Sequence, residues 1–548
     1  MATLAEAGHG SLHFGDTVLF LIKTKDYQGY VYSELSSSPF LTVYNLKEHN
    51  EKNPDFPNIA FASFKIMAPN KYKAKQQLKQ AQLDPESQEY RNALRAFKTE
   101  EAENKLEQKR HFGSRVLYGD SIQLQHVASK KFVKVCSEAS KTESNNLLVS
   151  LSEENFEECI FKILPRYKVR SEGDEVRYND QLKIENIKNQ GQYLHCSGPN
   201  HTLGTAKFNV LTDCFELNLS ATESALTLIP HYSPFVNKHP DKALRAGTCV
   251  RLFHKEDECY IVAEGSFAFA KESFASLKET IGDKRSDPII EDGDVIAWRD
   301  RCRLKHLPTR CYLAVVEDMG QWKVTLKEKT SDNDLDTIFS FSPLIEEGEE
   351  VLLESYALIQ HRRSGQWLHL EKKNSYTRKG FDPKAEGLAG LEWDSAELLM
   401  VTEDLVDRFN YVAGIVPMLS GYIKQLHSKT EGKQKQLVRV KNALVDLKNW
   451  IIDDKERNTK NNQKLLRNLR VLEQLHEILK FAEDGTFKGS SLHITICREC
   501  YNVIKTFLEG DSRKNENYLA QFIAFFQQHV RKELNAEEVL VEIVQDNM

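Results

Sequence analysis

A short pattern recurs six times along this chain of 548 residues. Each copy opens on a turn such as Gly-Asp or Asn-Asp, runs through alternating apolar residues and a His or polar turn, and closes on an aromatic and an aliphatic residue. The copies span Phe14 to Tyr32, Tyr118 to Val135, Tyr178 to Ser197, Ala246 to Glu264, Trp298 to Val316 and Tyr356 to Glu371. Repetition constrains architecture more than local propensity does, because each unit buries its apolar face only by packing on its neighbours. The alternation has period two and reads as strands. Six copies fit one six-part array or two pseudo-threefold units. The unequal gap before Ala246, which holds Pro230, Pro234 and Pro240, favours two sets of three.

The pattern predicts a mixed multidomain chain: two β-trefoils, the first with an inserted helical hairpin, then an α-solenoid of armadillo-like helices. The first trefoil is expected over residues 1–229. Its arm falls at about 70–110, where Lys71 to Gln82 and Gln88 to Gln108 are charged and free of Gly, with a break near Pro85. Pro230 to Leu244 is the best linker candidate, and the second trefoil is expected over 245–401. From 402 to 548 the period changes to helical. Leu405, Phe409, Val412, Ile415 and Val416 share one stripe, and Leu437, Val440, Leu444, Val445 and Leu447 share another. Tyr411 to Ile423 reads as a buried helix despite Gly414, Pro417 and Gly421. Further helices are expected over Gln463 to Ala482, Ser491 to Leu508, Asn515 to Val530 and Ala536 to Val544. The last would expose an apolar face, which suggests the front part of a longer protein.

The net charge of −6 argues against a general nucleic-acid binder, so an anion site has to be a local cluster. No apolar run reaches the roughly 18 residues of a membrane span, and the start lacks a secretory shape, which points to the cytosol. Ten cysteines then read as reduced thiols. Cys497 and Cys500, with His493 one turn earlier, lack the second ligand pair that zinc needs and read as buried helix cysteines. His126, His254, His306 and His361 recur at equivalent places, so a shared turn hydrogen bond explains them better than metal sites. The acidic runs Asp332 to Asp336 and Glu346 to Glu350 read as solvated loops. No phosphate-binding Gly-Lys-Ser/Thr loop, metalloprotease motif or nucleophile elbow is present, so neither an enzyme nor a cofactor is expected.

The informative charges lie in the helical part. Lys455 to Arg470 contains six basic residues and one acidic one. Lys460, Lys464 and Arg467 are four and three apart and fall on one helix face, with Leu465, Leu466, Leu469 and Leu472 opposite. Three aligned cations repel one another and favour an anionic ligand. Arg513 and Lys514 follow Gly510, with Asp511 or Ser512 as N-cap, at a helix start that suits phosphate. A third basic loop, Lys278 to Arg285, holds a Gly and a Thr but also Glu279 and Asp283.

These segments carry a resemblance. NKYKAKQQLKQA (Asn70 to Ala81), LYGDSIQLQH (Leu117 to His126), YKVRSEGDEV (Tyr167 to Val176), VRLFH (Val250 to His254), RLKHLPTRCYLA (Arg303 to Ala314), CRECYNVI (Cys497 to Ile504) and SRKNENYLAQF (Ser512 to Phe522) resemble the cytosolic N-terminal region of inositol 1,4,5-trisphosphate receptors, calcium-release channels related to ryanodine receptors. The resemblance implies a first trefoil acting as suppressor, and ligand held between the second trefoil and the helices. It implies phosphate contacts from Lys460, Lys464, Arg467, Arg513 and Lys514 on the helical side, and from Arg251, Lys278, Thr280, Gly282 and Arg285 on the trefoil side. The family has Arg where Lys460 stands and Tyr where Ser512 stands. Its trefoil loop reads Arg-Thr-Thr-Gly-Arg, and Cys259 replaces a family lysine. The implied partners are inositol 1,4,5-trisphosphate and the remainder of a homotetrameric channel at the cytosolic face of the endoplasmic reticulum. A gating scaffold without a soluble ligand is the alternative. A carbohydrate-binding trefoil using Asp300 with Trp298, or Trp367, is a third class.

Overall fold

The computed structural model describes residues 10–23, 28–33, 40–45, 58–81, 87–153, 156–197, 215–232, 241–254, 259–261, 293–307, 311–327, 334–345, 348–377, 380–428, 434–453, 456–482, 491–510, 512–532 and 534–545. A sheet-rich N-terminal region precedes a helical C-terminal part.

Twelve strands form the first sheet: β1 (Thr17–Lys23), β2 (Gln28–Tyr32), β3 (Thr42–Asn45), β4 (Ser63–Met67), β5 (Ser121–His126), β6 (Phe132–Ala139), β7 (Leu147–Ser152), β8 (Phe161–Pro165), β9 (Gln181–Asn186), β10 (Tyr193–Ser197), β11 (Phe215–Ser220) and β12 (Leu226–Tyr232). They fall into three consecutive sets of four. The outer strands of each set pair in the order β1–β4–β5–β8–β9–β12 and return to β1, so the ring closes. The inner strands pair as β2–β3, β6–β7 and β10–β11. Closure leaves the ring without free edges. Its core holds Val18, Phe20, Phe64, Ile122, Leu124, Phe161, Ile184 and Leu228, all buried.

The repeated opening turn has a physical cause. The residues at Gly15, Gly119, Asn179, Gly247, Arg299 and Glu354 all have positive φ. The residue after each is Asp16, Asp120, Asp180, Thr248, Asp300 or Ser355. In five of the six, that side chain accepts a backbone N–H three residues earlier: His13, Leu117, Arg177, Arg245 and Ala297 donate at 2.8, 2.8, 3.1, 3.3 and 2.8 Å. Gly15, Gly119 and Gly247 meet the left-handed requirement without strain, Asx-type bonding stabilises Asn179 and Arg299, and in the sixth turn Ser355 Oγ donates to the Leu352 carbonyl instead. Two of the four recurring histidines, His126 and His361, share the turn hydrogen bonding that their repetition predicts. His126 Nε2 meets the Phe61 carbonyl at 2.9 Å and Nδ1 the Ser129 hydroxyl at 2.8 Å. His361 repeats this with the Leu335 carbonyl at 3.3 Å and Ser364 at 2.8 Å. No cluster of three metal-ligating side chains occurs among the described residues.

Between β4 and β5 stand α1 (Lys73–Ala81) and α2 (Gln88–His111). Ser87 caps α2 by accepting from Tyr90 N, and the Glu100 carboxylate accepts from Ala74 and Lys75 N at the start of α1.

The second sheet holds β13 (Val250–His254), β14 (Cys259–Tyr260), β15 (Tyr312–Asp318), β16 (Gln321–Lys327), β17 (Phe339–Pro343), β18 (Tyr356–His361), β19 (Trp367–Thr377), β20 (Gly380–Gly390) and β21 (Ser395–Met400). Its spine runs β14-β13-β21-β18-β19-β20-β16-β15, with β17 on β18. Val315, Phe339, Phe341, Ile359 and Leu398 are buried in its core. The acidic run near Asp334 is a correction to the sequence expectation. Asp334 and Asp336 are buried, and Lys327 Nζ reaches them at 3.1 and 2.9 Å, with Arg363 also on Asp336. A buried carboxylate needs such partners.

The helices are α3 (Glu403–Ser428), α4 (Gln434–Ile451), α5 (Glu456–Asn468), α6 (Val471–Lys480), α7 (Ser491–Leu508), α8 (Arg513–Ala520), α9 (Ile523–His529) and α10 (Ala536–Gln545). Two expected single helices are each two. Arg470 takes a left-handed conformation (φ 53°, ψ 35°) and separates α5 from α6, and a turn at Gln521 and Phe522 separates α8 from α9. Apolar periodicity continues across both breaks, so the pattern alone did not show them. The linker candidate also changes: Pro230, His231 and Tyr232 finish β12.

The largest apolar cluster joins the two regions. It combines Leu19, Tyr32 and the 3-10 turn Ile59–Ala62 with Tyr411, Val412 and Ile415 of α3, and continues through α10. Phe61 meets Tyr411 edge-on at 5.8 Å, and Tyr411 stacks on Trp450 at 4.9 Å. Lys65 pairs with Glu403, Lys130 with Asp407 at 3.0 Å, and Asn410 Nδ2 donates to His231 Nε2 at 3.1 Å.

Candidate functional site

α5 is amphipathic in the expected sense. Leu465 and Leu466 are buried, while Lys460 and Lys464 are exposed and Arg467 is half-buried. Its start is fixed by Thr459, whose hydroxyl accepts the Asp453 N–H at 3.0 Å and donates to the Asp453 carbonyl at 3.2 Å. Its end is fixed by the left-handed Arg470.

α8 begins at the second basic pair. Gly510 has φ 94° and turns the chain after α7. Ser512 occupies the N-cap position as expected, but its side chain makes no capping bond. Its carbonyl instead accepts from Asn515 N at 2.7 Å. Arg513 and Lys514 are therefore exposed in the first turn of a helix whose leading N–H groups have no side-chain cap.

A buried amide network ties the two helices. Arg467 Nη1 donates to Asn515 Oδ1 at 2.9 Å. Asn515 Nδ2 donates to Gln463 Oε1 at 3.2 Å and to the Phe507 carbonyl at 3.3 Å. Gln463 Nε2 donates to the Glu509 carbonyl at 2.7 Å. Gln463 and Asn515 are both buried. The structure thus joins Arg467 to the residue that follows Lys514, although 48 positions separate them in sequence. Among the described residues, Lys464, Arg513 and Lys514 form no ion pair. Tyr518 of α8 lies within the field of Arg467 and Arg470. Burial, and then Glu473, hold its hydroxyl well above the usual phenol range, and the two guanidinium groups oppose this.

Gln463 and Asn515 were missed in the sequence. Neutral amides carry no charge pattern, and the contact depends on two helices meeting after a long separation. Arg251 is half-buried on β13, in register with Leu399 of β21, the strand that leads into α3. Lys278, Thr280, Gly282 and Arg285 lie outside the described residues. Asp300, offered for a sugar pocket, accepts the Ala297 N–H in a repeat turn, and Trp298 packs on the second core.

Cys497 and Cys500 are fully buried on α7. Burial pushes the Cys497 thiol up to about 12 and Cys500 well above its ordinary value. Nearby His493 meets the Tyr422 hydroxyl at 2.6 Å. These are packing residues. No described helix is long and apolar enough to cross a membrane.

Comparisons with known proteins agree along the chain. The family model described as inositol 1,4,5-trisphosphate/ryanodine receptor matches residues 9–227, a MIR domain model matches 242–388, and a RIH domain model matches 442–548. The inositol 1,4,5-trisphosphate receptor itr-1 of Caenorhabditis elegans is 21% identical over 665 aligned positions, which cover 100% of this chain and 22% of that protein. The chain therefore spans about a fifth of the length of the curated relative it matches.

Proposed function

This chain belongs to the inositol 1,4,5-trisphosphate/ryanodine receptor family, and we propose that it is the ligand-binding regulatory region of a calcium-release channel, not an enzyme. It divides into 1–229, 245–401 and 402–548. The ring of six paired strands with three inner hairpins is read as a trefoil, 245–401 as a second one, and the helices as an armadillo-like array. Inositol 1,4,5-trisphosphate is taken by Lys460, Lys464, Arg467, Arg513 and Lys514, with Arg251 and the 278–285 loop closing from the second sheet domain.

The observation that carries the reading is the 2.9 Å bond from Arg467 to Asn515, which brings the basic ends of α5 and α8 together. Lys464, Arg513 and Lys514, which form no ion pair among the described residues, repel one another and are relieved by a polyanion. Each charge-assisted contact is worth roughly 1.5–3 kcal/mol. Four or five of them reach micromolar affinity, about 8 kcal/mol, after association costs. Ligand shifts the chain toward a closed arrangement only as far as it binds that arrangement better. The first sheet domain, packed on α3, then passes the change to the rest of a tetrameric channel at the cytosolic face of the endoplasmic reticulum.

Titration calorimetry of the 548-residue chain with inositol 1,4,5-trisphosphate tests this. Saturable heat, weakened at least tenfold by Lys464→Gln and by Arg513→Gln, is expected. No heat at millimolar ligand rejects ligand binding and leaves a gating scaffold of the same family.

A further inference from the structure

The basic face depends on how α5 is held, and a guanidinium on another helix holds it. Arg408 lies near the start of α3, with its side chain only 12% exposed. Its Nε donates to Asp404 Oδ2 at 2.7 Å, Nη1 to Asn462 Oδ1 at 2.6 Å and Nη2 to Asp453 Oδ2 at 3.2 Å. Asn462 is 1% exposed, and its Nδ2 donates to the Trp450 and Ile451 carbonyls at 2.9 and 3.2 Å. Arg408 therefore bridges α3, the α4–α5 turn and α5, and Asn462 carries the link on to the last turn of α4.

The point of attachment matters. Asn462 stands two residues after Lys460 and two before Lys464. On a helix that is half a turn from each, so Asn462 is on the buried side while both lysines face out. Rotation of α5 about its axis moves the lysines and breaks the Asn462 contacts together. Asp453 strengthens the hold, since it also accepts from Asn458 Nδ2 at 3.0 Å, at the head of α5. A planar fork meets three acceptors in fixed directions, which a lysine ammonium on a flexible stem does not reproduce.

We propose that Arg408 is a positioning residue for ligand capture, setting the rotation of α5 that aims Lys460, Lys464 and Arg467 at one anion. The proposal rests on the ligand reading above. A merely structural role would lower stability without changing how the α5 cations act.

The test compares Arg408→Lys with the unaltered chain in three measurements. Affinity for inositol 1,4,5-trisphosphate by calorimetry is expected to weaken about tenfold. In a Lys464→Gln background the same change is expected to cost less than about twofold, because a missing cation no longer needs aiming. Amide exchange is expected to accelerate over α5 and remain unchanged over α7. Unchanged affinity, or equal weakening in both backgrounds, overturns the proposal. If the unaltered chain gives no heat, the ligand reading fails, and exchange still decides Arg408: equal acceleration over α5 and α7, or none, overturns positioning. If Arg408→Lys does not fold, Asn462→Ala carries the same comparison, since it removes the α5 acceptor that faces Arg408 and leaves the bonds to Asp404 and Asp453 in place.

Discussion

The carboxamide of Asn58 sits in a notch that Gly414 leaves in the side of α3. Its Nδ2 donates to the Tyr411 carbonyl at 3.0 Å, and its Oδ1 accepts from Ala60 N at 3.0 Å. A Cβ at Gly414 would overlap that carboxamide. Alanine in mid-helix is otherwise worth about 1 kcal/mol over glycine. Here the Asn58 side chain is fixed at both ends and cannot retreat, so overlap decides the sign. Gly414→Ala is expected to destabilise the chain by about 1–3 kcal/mol in urea denaturation. Adding Asn58→Ala should recover part of that loss, and strict additivity would count against the notch.

Asn515 gives a second prediction. It is 2% exposed and connects Arg467, Gln463 and the Phe507 carbonyl. Asn515→Leu keeps the volume and strands three polar groups. Stability should fall by about 2–4 kcal/mol. Ligand affinity, measured where the variant is still folded, should fall as well because Arg467 loses its anchor.

Acid should weaken the fold through buried His126 and half-buried His306. Burial lowers His126 and His306 to about 4, from an ordinary value near 6.5. Between those values the unfolded chain binds the proton and the folded chain does not. Their contribution is therefore complete above about pH 6.5 and is lost as pH falls toward 4, at up to about 1.4 kcal/mol per pH unit for each. His126→Gln should remove one proton from the slope of stability against pH over that window, as read from denaturation series. An unchanged slope would mean that His126 titrates alike in both states.

Alkylation separates packing cysteines from reactive ones. With raised thiol values and no exposure, Cys497 and Cys500 should resist iodoacetamide at neutral pH until the chain unfolds. Among the described cysteines, half-buried Cys136 should label first, ahead of Cys302, whose thiol burial pushes up to about 12. Mass spectrometry of peptides over a time course reads this directly, and early labelling at Cys500 would require α7 to open locally.

Much of the fold was legible because repetition and periodicity report burial. The turns could be seen in sequence because five of the six place an Asp or Thr acceptor after the left-handed residue, and four of the six put Gly or Asn in the left-handed place. The basic face of α5 was legible for a similar reason, since six cations against one acid between Lys455 and Arg470, three of them at spacings of four and three, stand out. What was hidden depends on contacts between distant segments. Arg470 breaks a helix while the apolar pattern runs on through it. Asp336 looks like part of a solvated loop until Lys327 and Arg363 are placed around it. Arg408 and Asn462 each look like ordinary polar helix residues, and their meaning comes only from facing each other across α3 and α5.

Because Leu19, Tyr32 and the Ile59–Ala62 turn share one apolar mass with the helices, the helical lobe has no finished exterior on that side. A version of this protein beginning after Tyr232 would leave Tyr411 without Phe61 and the Gly414 notch without Asn58, opening that flank of α3 to water. It should clump or recruit a second copy to cover the wound unless that flank is first made hydrophilic.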